Sequence, residues 1–215
     1  MDQILKKYSS LRHLNVSRET CLDFDRFTTM IIKKNKEINL ISMNTAKEDI
    51  VRDRHIIDSA QTYDIVDLND NTTSDLGSGS GLPGLIIAIM IKNFKKNHKV
   101  KLYEKSHHKS TFLREVSREL NLNTEVIQND IFKLNKLESG TIMARAFKPL
   151  PVVLELVYKN FDRYKNLIIF MGTSGNEILK ETLKNWELEF EKVKSITNAD
   201  SFILNIKNIK KKAQN

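Results

Sequence analysis

Seven glycines occur in the 215 residues, and four of them, Gly77, Gly79, Gly81 and Gly84, fall within eight positions. A chain that uses glycine so sparingly and gathers it at one place needs backbone conformations there that other residues resist. The stretch Asp75-Leu76-Gly77-Ser78-Gly79-Ser80-Gly81-Leu82-Pro83-Gly84 follows a short run that reads as a strand, Thr73 to Leu76. It leads into an apolar run that reads as a helix, Leu82 to about Lys92. A plain strand-to-helix turn needs one or two glycines. Four of them at the carboxyl end of a strand point to a ligand held against the backbone.

The rest of the chain divides at the same region. Residues 1 to 72 contain no glycine and read as helical: Phe24, Phe27, Ile31, Asn35 and Ile38 repeat at three-four spacing, and Thr45 with Glu48 three residues later has the form of a capping box. That box predicts a helix from Thr45 to about Tyr63. Beyond the polar breaker Asn69-Asp70-Asn71-Thr72-Thr73, short apolar runs alternate with amphipathic ones. Strands are expected at Thr73 to Leu76, Lys99 to Glu104, Thr124 to Gln128, Thr141 to Ala144 and Leu167 to Met171, with helices between them. Two further strands, around Leu188 to Val193 and Phe202 to Ile206, follow each other with a turn near Asn198. Alternation implies parallel crossovers, and the closing pair implies an antiparallel edge. The expectation is an α/β fold with an N-terminal helical cap, residues 1–72, on a Rossmann-like domain, residues 73–215.

Composition narrows the classes. The longest apolar run, Leu85 to Ile91, has seven residues, far short of the roughly 18 a membrane span needs. Met1-Asp2-Gln3-Ile4-Leu5-Lys6-Lys7 lacks the apolar region of a signal peptide, and Cys21 is the sole cysteine. A soluble, cytoplasmic protein without disulfides is expected, with no membrane partner. The net charge is +8, and Lys92 to Arg114 holds eight basic residues against one acid, Glu104. Such a stretch suits a polyanion such as RNA, although lysine is abundant throughout.

The identity of the ligand follows from what surrounds the glycines. Gly79-x-Gly81-x-x-Gly84 matches the dinucleotide fingerprint in form, so an NAD-dependent oxidoreductase is one reading. Against it, Asp75 sits two residues before the first glycine and would repel a pyrophosphate, and Pro83 has no N–H to offer an anion at the helix start. A carboxylate there suits a cation or an amine. Glu104 ends the second strand, 27 positions beyond Gly77, and is placed to accept both hydroxyls of a ribose. S-adenosylmethionine, an adenosine carrying a sulfonium and an amino acid, meets both conditions.

Asn39-Leu40-Ile41-Ser42, then Arg54-His55-Ile56-Ile57-Asp58-Ser59, then the glycine segment 75–84, then Ala144-Arg145-Ala146-Phe147 closely resemble, in this order, the RsmG (GidB) family of bacterial small-subunit rRNA methyltransferases. The resemblance covers about residues 20 to 205. It implies a class I methyltransferase fold: a mostly parallel seven-stranded sheet with an antiparallel edge strand. It implies S-adenosylmethionine as cofactor, N7 of a guanine in the 530 loop of 16S rRNA as target, and 16S rRNA or the small ribosomal subunit as partner. Carried over, the cofactor contacts fall on Gly77, Leu82 and Arg145, with Asp75, Gly79, Gly81 and Glu104 beside them. Asp130, Ile131 and Phe132 stand where the family often has Arg-Ala-Glu, and Asp130 is a candidate acceptor for the adenine amine. Contacts to RNA are expected from Arg54, His55, Lys105, Lys109 and Arg114.

Guanine N7 carries an in-plane lone pair, so methylation there requires no general base. Neither a Ser-His-Asp array nor a metal site is expected, and the five histidines show no ligand spacing. Arg145 is expected to position substrate through guanine O6, a phosphate or the cofactor carboxylate, and not through N7 itself, which becomes positive. Arg54 and Asp58 fall on one helix face and read as an ion pair. The protein is expected to act as a monomer. A small-molecule methyltransferase and a non-catalytic, RNA-binding ribosome-assembly factor on the same fold are the remaining alternatives.

Overall fold

The computed structural model describes residues 2–213. Its centre is a seven-stranded sheet formed by β1 (Thr72–Leu76), β2 (Lys99–Tyr103), β3 (Thr124–Ile127), β4 (Thr141–Ala144), β5 (Asn166–Met171), β6 (Trp186–Lys194) and β7 (Phe202–Lys211). The spatial order is β3-β2-β1-β4-β5-β7-β6. The pairs from β3 to β5 are parallel, whereas β7 runs antiparallel between β5 and β6. The expected mostly parallel sheet with an antiparallel edge is the observed one.

Central strands are covered on both faces. One face carries α2 (Arg18–Asn35), α3 (Gly84–Ile91) and α4 (His107–Glu119). The other carries α5 (Leu150–Asn160) and α6 (Gly175–Asn185). All eight residues of α3 are buried, as expected of a helix apolar on every side. The short α1 (Gln3–Lys7) joins α2, where Phe24, Phe27 and Ile31 form the predicted apolar stripe and lie wholly inside the core. Lys92 at the end of α3 forms an ion pair with buried Asp23 of α2.

The helix predicted from Thr45 takes a different form. Thr45 closes a 3-10 turn, Met43–Thr45, in which its hydroxyl donates to the Ser42 carbonyl at 2.8 Å. Engaged there, it does not cap, and the helix starts at Glu48 with no side-chain cap. Residues 48–65 then change pitch: an α-helical turn, a π-helical stretch at Arg52–Ile57, a return to α at Asp58–Ala60, and a 3-10 end at Gln61–Ile65. A two-stranded parallel sheet, Leu137–Glu138 with Phe161–Arg163, was not expected.

Buried polar side chains tie the helical segment to the sheet. Asn166 donates to the Ile65 carbonyl and to Asn205 Oδ1, both at 2.8 Å, and accepts from Thr141 Oγ1 at 2.8 Å. The same Thr141 hydroxyl oxygen accepts the Asp67 N–H at 2.8 Å. Removing one member strands the others without water. Asn166→Ala is expected to cost on the order of 2–3 kcal/mol and lower Tm by roughly 4–10 °C, measured by thermal unfolding.

Candidate active site

Strand register brings the site together. Leu76 pairs with Tyr103 on one side and with Ala144 on the other. The residues that follow, Gly77, Glu104 and Arg145, therefore leave three adjacent strands at the same level. Behind them opens a cavity of about 610 Å³ whose walls include Gly77, Gly79, Leu82, Glu104, Ile131 and Arg145.

The glycine turn is shaped by hydrogen bonds to the neighbouring strand. Ser78 N–H donates to the Tyr103 carbonyl at 3.0 Å and Gly79 N–H to Glu104 Oε2 at 2.9 Å, while Ser106 N–H donates to Glu104 Oε1 at 2.8 Å. Gly77 has φ +68, and a Cβ on it would overlap the ring of Phe147. Gly79 has φ +56, and a Cβ there would meet only the Gly77 carbonyl, at 3.7 Å, so this part of the turn faces open space.

The start of α3 offers nothing to an anion. Gly84 N–H donates to Asp75 Oδ2 at 3.1 Å, Leu85 N–H to the Gly81 carbonyl, and Ile86 and Ile87 N–H to the Pro83 carbonyl. Asp75 lies beneath the turn rather than in the cavity wall, is fully buried, and leaves Oδ1 without a partner. Burial, reinforced by the nearby Glu104 charge, pushes its carboxyl up to about 7. A carboxylate held at the helix start in place of an anion disfavours pyrophosphate, which argues against the NAD reading.

The Arg145 side chain is half-buried, 18% exposed, and its guanidinium is engaged on several sides. Its guanidinium pairs with Asp58 at 3.2 Å, and donates to Ser59 Oγ at 3.0 Å and to the Arg54 carbonyl at 2.6 Å. It also lies over the Phe170 ring, 5.1 Å from the centroid. The ion pair expected between Arg54 and Asp58 is replaced: Asp58 takes Arg145, and Arg54 contributes its carbonyl while its side chain faces solvent. His55 lies against Arg145, with Nδ1 3.4 Å from Nη2; burial, then the Arg145 and Arg54 charges, lowers it to about 4, so it is neutral.

Of the other expected residues, Asp130, Phe132, Lys105, Lys109 and His55 line the cavity. Arg54, Gly81 and Arg114 do not; Arg114 is exposed and reaches Gln128 at 3.4 Å. Asp130 Oδ1 accepts the Phe132 N–H at 3.2 Å. Sequence reasoning missed the wall made by Leu40, Ile41 and Ser42, and missed Tyr103, Phe147 and Lys148. Its signal is Asn35, polar on an apolar helix stripe: buried Oδ1 accepts the N–H groups of Leu40 and Ile41, each at 2.9 Å, and fixes that wall.

Comparison with known proteins decides the family. The family model described as rRNA small subunit methyltransferase G matches residues 20–206. The chain belongs to this family. It is 62% identical over 212 residues to ribosomal RNA small subunit methyltransferase G of Pelagibacter ubique (strain HTCC1062), covering 99% of this chain and 100% of the relative. A member of the same family from Cereibacter sphaeroides (strain ATCC 17029 / ATH 2.4.9) is 33% identical over 199 residues, 93% and 96% of the two chains. In fold it is similar to a SAM dependent methyltransferase from Aquifex aeolicus, TM-score 0.54 at 14% identity over 81% of this chain and 95% of that one. A SAM-dependent O-methyltransferase from Thermotoga maritima matches at TM-score 0.52 and 12% identity, over 73% and 66%. The fold is the Rossmann-like one of S-adenosylmethionine-dependent methyltransferases.

Two predictions concern the charges of this site. Asp58→Ala leaves Arg145 without its carboxylate and is expected to cost about 3–5 kcal/mol, with much of that recovered in the Asp58→Ala/Arg145→Met double variant. A double-mutant cycle by urea denaturation measures it. The second concerns pH. His55 folds with a depressed value, so its contribution is lost as pH falls from 6.5 toward 4. Asp75 folds with a raised value, so its contribution is lost as pH rises from 3.8 toward 7. The slopes oppose each other, on the order of 3 kcal/mol at full extent for His55 and 4 kcal/mol for Asp75. Asp75→Asn is expected to leave stability rising with pH between 4 and 6.5, and His55→Gln to leave it falling. Denaturation midpoints across that range check both signs.

Proposed function

We propose that this protein transfers the methyl group of S-adenosylmethionine to N7 of a guanine in the 530 loop of 16S rRNA, acting as a cytoplasmic monomer on the rRNA or the small subunit. In this reading residues 1–72 form a cap over the methyltransferase domain 73–215. The family supports rRNA as the substrate class. The open face of Gly79, the oriented Glu104 carboxylate and the anion-averse start of α3 fit the cofactor. Gly77, Gly79 and Leu82 hold its amino-acid part, with the buried Asp75 carboxyl beneath them. Glu104 accepts the ribose hydroxyls, and Asp130, Ile131 and Phe132 hold the adenine. When bound, the cofactor supplies an electrophilic methyl carbon on a sulfonium.

The observation that carries the N7 reading is that His55 and Glu104, in the cavity wall beside Arg145 and the glycine turn, are engaged by protein partners. His55 is lowered to about 4 and faces Arg145, and both Glu104 oxygens accept backbone N–H groups. These groups are poorly suited to remove a proton from an amine, an N1–H or a ribose hydroxyl near pH 7. A ring nitrogen with a free lone pair needs no such removal. The protein's work is then orientation and exclusion of water. Lys105 and Lys109 at the wall, with Arg54 and Arg114 outside it, meet phosphates.

The test is incubation with methyl-labelled S-adenosylmethionine and small subunits from a strain that lacks this modification, followed by mapping of the labelled nucleotide. The expected product is one 7-methylguanosine in the 530 loop. Label on a ribose oxygen, an exocyclic amine or another loop overturns the assignment.

A further inference from the structure

A second cavity, of about 320 Å³, opens at the opposite edge of the sheet. Its walls include Lys92, Lys95, Lys96, His98, Asn121 and Asn123. These residues lie in the connections that enter β2 and β3 at their amino ends, whereas Gly77 and Glu104 stand at carboxyl ends. The five residues of β2 separate the two edges by about 16 Å. We propose that this far edge is a second contact for single-stranded rRNA, with backbone phosphates at Lys95 and Lys96 and an unpaired base stacked on Phe94. Resting on the rRNA methyltransferase reading above, it adds a grip on the substrate remote from the transferred methyl.

The cations here are available. Lys92 is paired with buried Asp23 and Lys99 with Glu125, but Lys95 and Lys96 are exposed and form no ion pair among the described residues. No carboxylate lines the cavity among the described residues. The loop that carries the two lysines is also fixed. Asn123 Nδ2 donates to the Lys96 and His98 carbonyls, each at 2.9 Å. Lys95 N–H donates to the Ile91 carbonyl and His98 N–H to the Lys95 carbonyl, both at 2.9 Å. Buried His98 is bonded through Nε2 to Thr73 Oγ1 at 2.9 Å. Ammonium groups on a fixed backbone meet a phosphate with less to order. Phe94 stands among these lysines, 55% exposed, and touches Tyr63 edge-on, 6.3 Å between centroids and 88° between planes. Both rings line a neighbouring cavity of about 290 Å³, which gives a base room. An exposed ring flanked by cations is a platform on which unpaired bases stack. Finally, α4 connects this edge to the rim of the larger cavity. It begins beside Lys105, carries Lys109, and ends just before Asn121, with exposed Arg114 and Arg118 one turn apart between them. Its 13 residues span roughly 20 Å, so one RNA segment can reach from the rim to the second cavity.

The test compares the full chain with Lys95→Gln/Lys96→Gln, with Phe94→Ala, and with a control, Lys180→Gln/Lys184→Gln, that removes two exposed charges from α6. Thermal unfolding checks the fold, calorimetry the affinity for S-adenosylmethionine, and methyl transfer to unmethylated small subunits gives kcat and KM across salt concentrations. Cofactor affinity and kcat are expected to stay within about twofold of wild type in every variant, because only substrate binding is lost. KM is expected to rise roughly tenfold in the lysine variant, and the slope of log affinity against log salt to weaken by about 2. Phe94→Ala is expected to raise KM on the order of tenfold with the salt slope unchanged. The control is expected to match wild type. Phe94→p-benzoylphenylalanine, irradiated on the small subunit, is expected to crosslink to 16S rRNA. Unchanged KM and salt slope in the lysine variant overturn the inference, as does an equal effect in the control or a loss of kcat alone. Wild-type KM in Phe94→Ala, or no crosslink, overturns the stacked base, and a crosslink to a ribosomal protein alone overturns RNA as the occupant. If Phe94→Ala fails to fold, the lysine variant and the crosslink decide. Any of these failures leaves the rRNA reading standing; a wild-type protein that methylates no rRNA takes both down.

Discussion

Asp58 accepts hydrogen bonds from Ser195 and Thr197 in the turn between β6 and β7, and from Gln61 one helical turn away, while its other oxygen pairs with Arg145 at the end of β4. One carboxylate thus joins the helical segment, the antiparallel edge and the central sheet. The cavity wall made by Leu40 to Thr45 and His55 is placed only as well as that helical segment is placed. Bringing two charges out of water is expensive, and Arg145 shows it: burial lowers its affinity for a proton even with Asp58 and Asp75 raising it. Apolar residues could hold these elements together at least as firmly. What the pair adds is direction, since a guanidinium that also donates to Ser59 and the Arg54 carbonyl is satisfied in one relative placement of helix and strand.

The π-helical stretch at Arg52–Ile57 belongs to the same arrangement. Within it Arg54 and His55 present their carbonyls to Arg145, at 2.6 and 3.4 Å. Carbonyls inside a regular α-helix are occupied by N–H groups four residues on, and a local change of pitch loosens that pattern where the arginine needs acceptors. The energetic weakness of the helix at this point is offset by charge-assisted bonds from outside it.

Much of this was legible in the chain, and for definite reasons. Strands such as β5, with Leu167 to Ile169 buried on both faces, declare themselves as apolar runs too short for helices. The glycine turn is legible because positive φ at Gly77, Gly79 and Gly81 leaves a compositional trace. Glu104 stands beside Gly77 because strand register, not sequence distance, decides what meets there. The failures have separate causes. The capping box at Thr45 and Glu48 has the right residues, but a local carbonyl took the hydroxyl first. Arg54 and Asp58 have the right spacing, but an arginine from far along the chain offered the carboxylate a better partner. Leu137–Glu138 and Phe161–Arg163 are too short to show any period. Only at Asp58 did a tertiary partner outweigh a local preference, and local patterns do not record tertiary partners.

The same pairing bears on the chemistry. In methylation at a ring nitrogen without a base, positive charge moves from sulfur onto the purine, so an unpaired guanidinium facing that ring would raise the barrier. Arg145 lines the larger cavity, yet Asp58 neutralises it and Phe170 covers its carbon. Lys105 stands toward solvent at the rim of the cavity, where water and salt screen its charge over roughly 8–10 Å. Cationic attraction for a polyanion is thereby kept at the rim, while the cavity wall carries Glu104 and the Asp75 carboxyl lies buried beneath the glycine turn. A protein that must gather a negatively charged substrate around a positively charged reaction centre resolves the conflict by separating the two signs in depth.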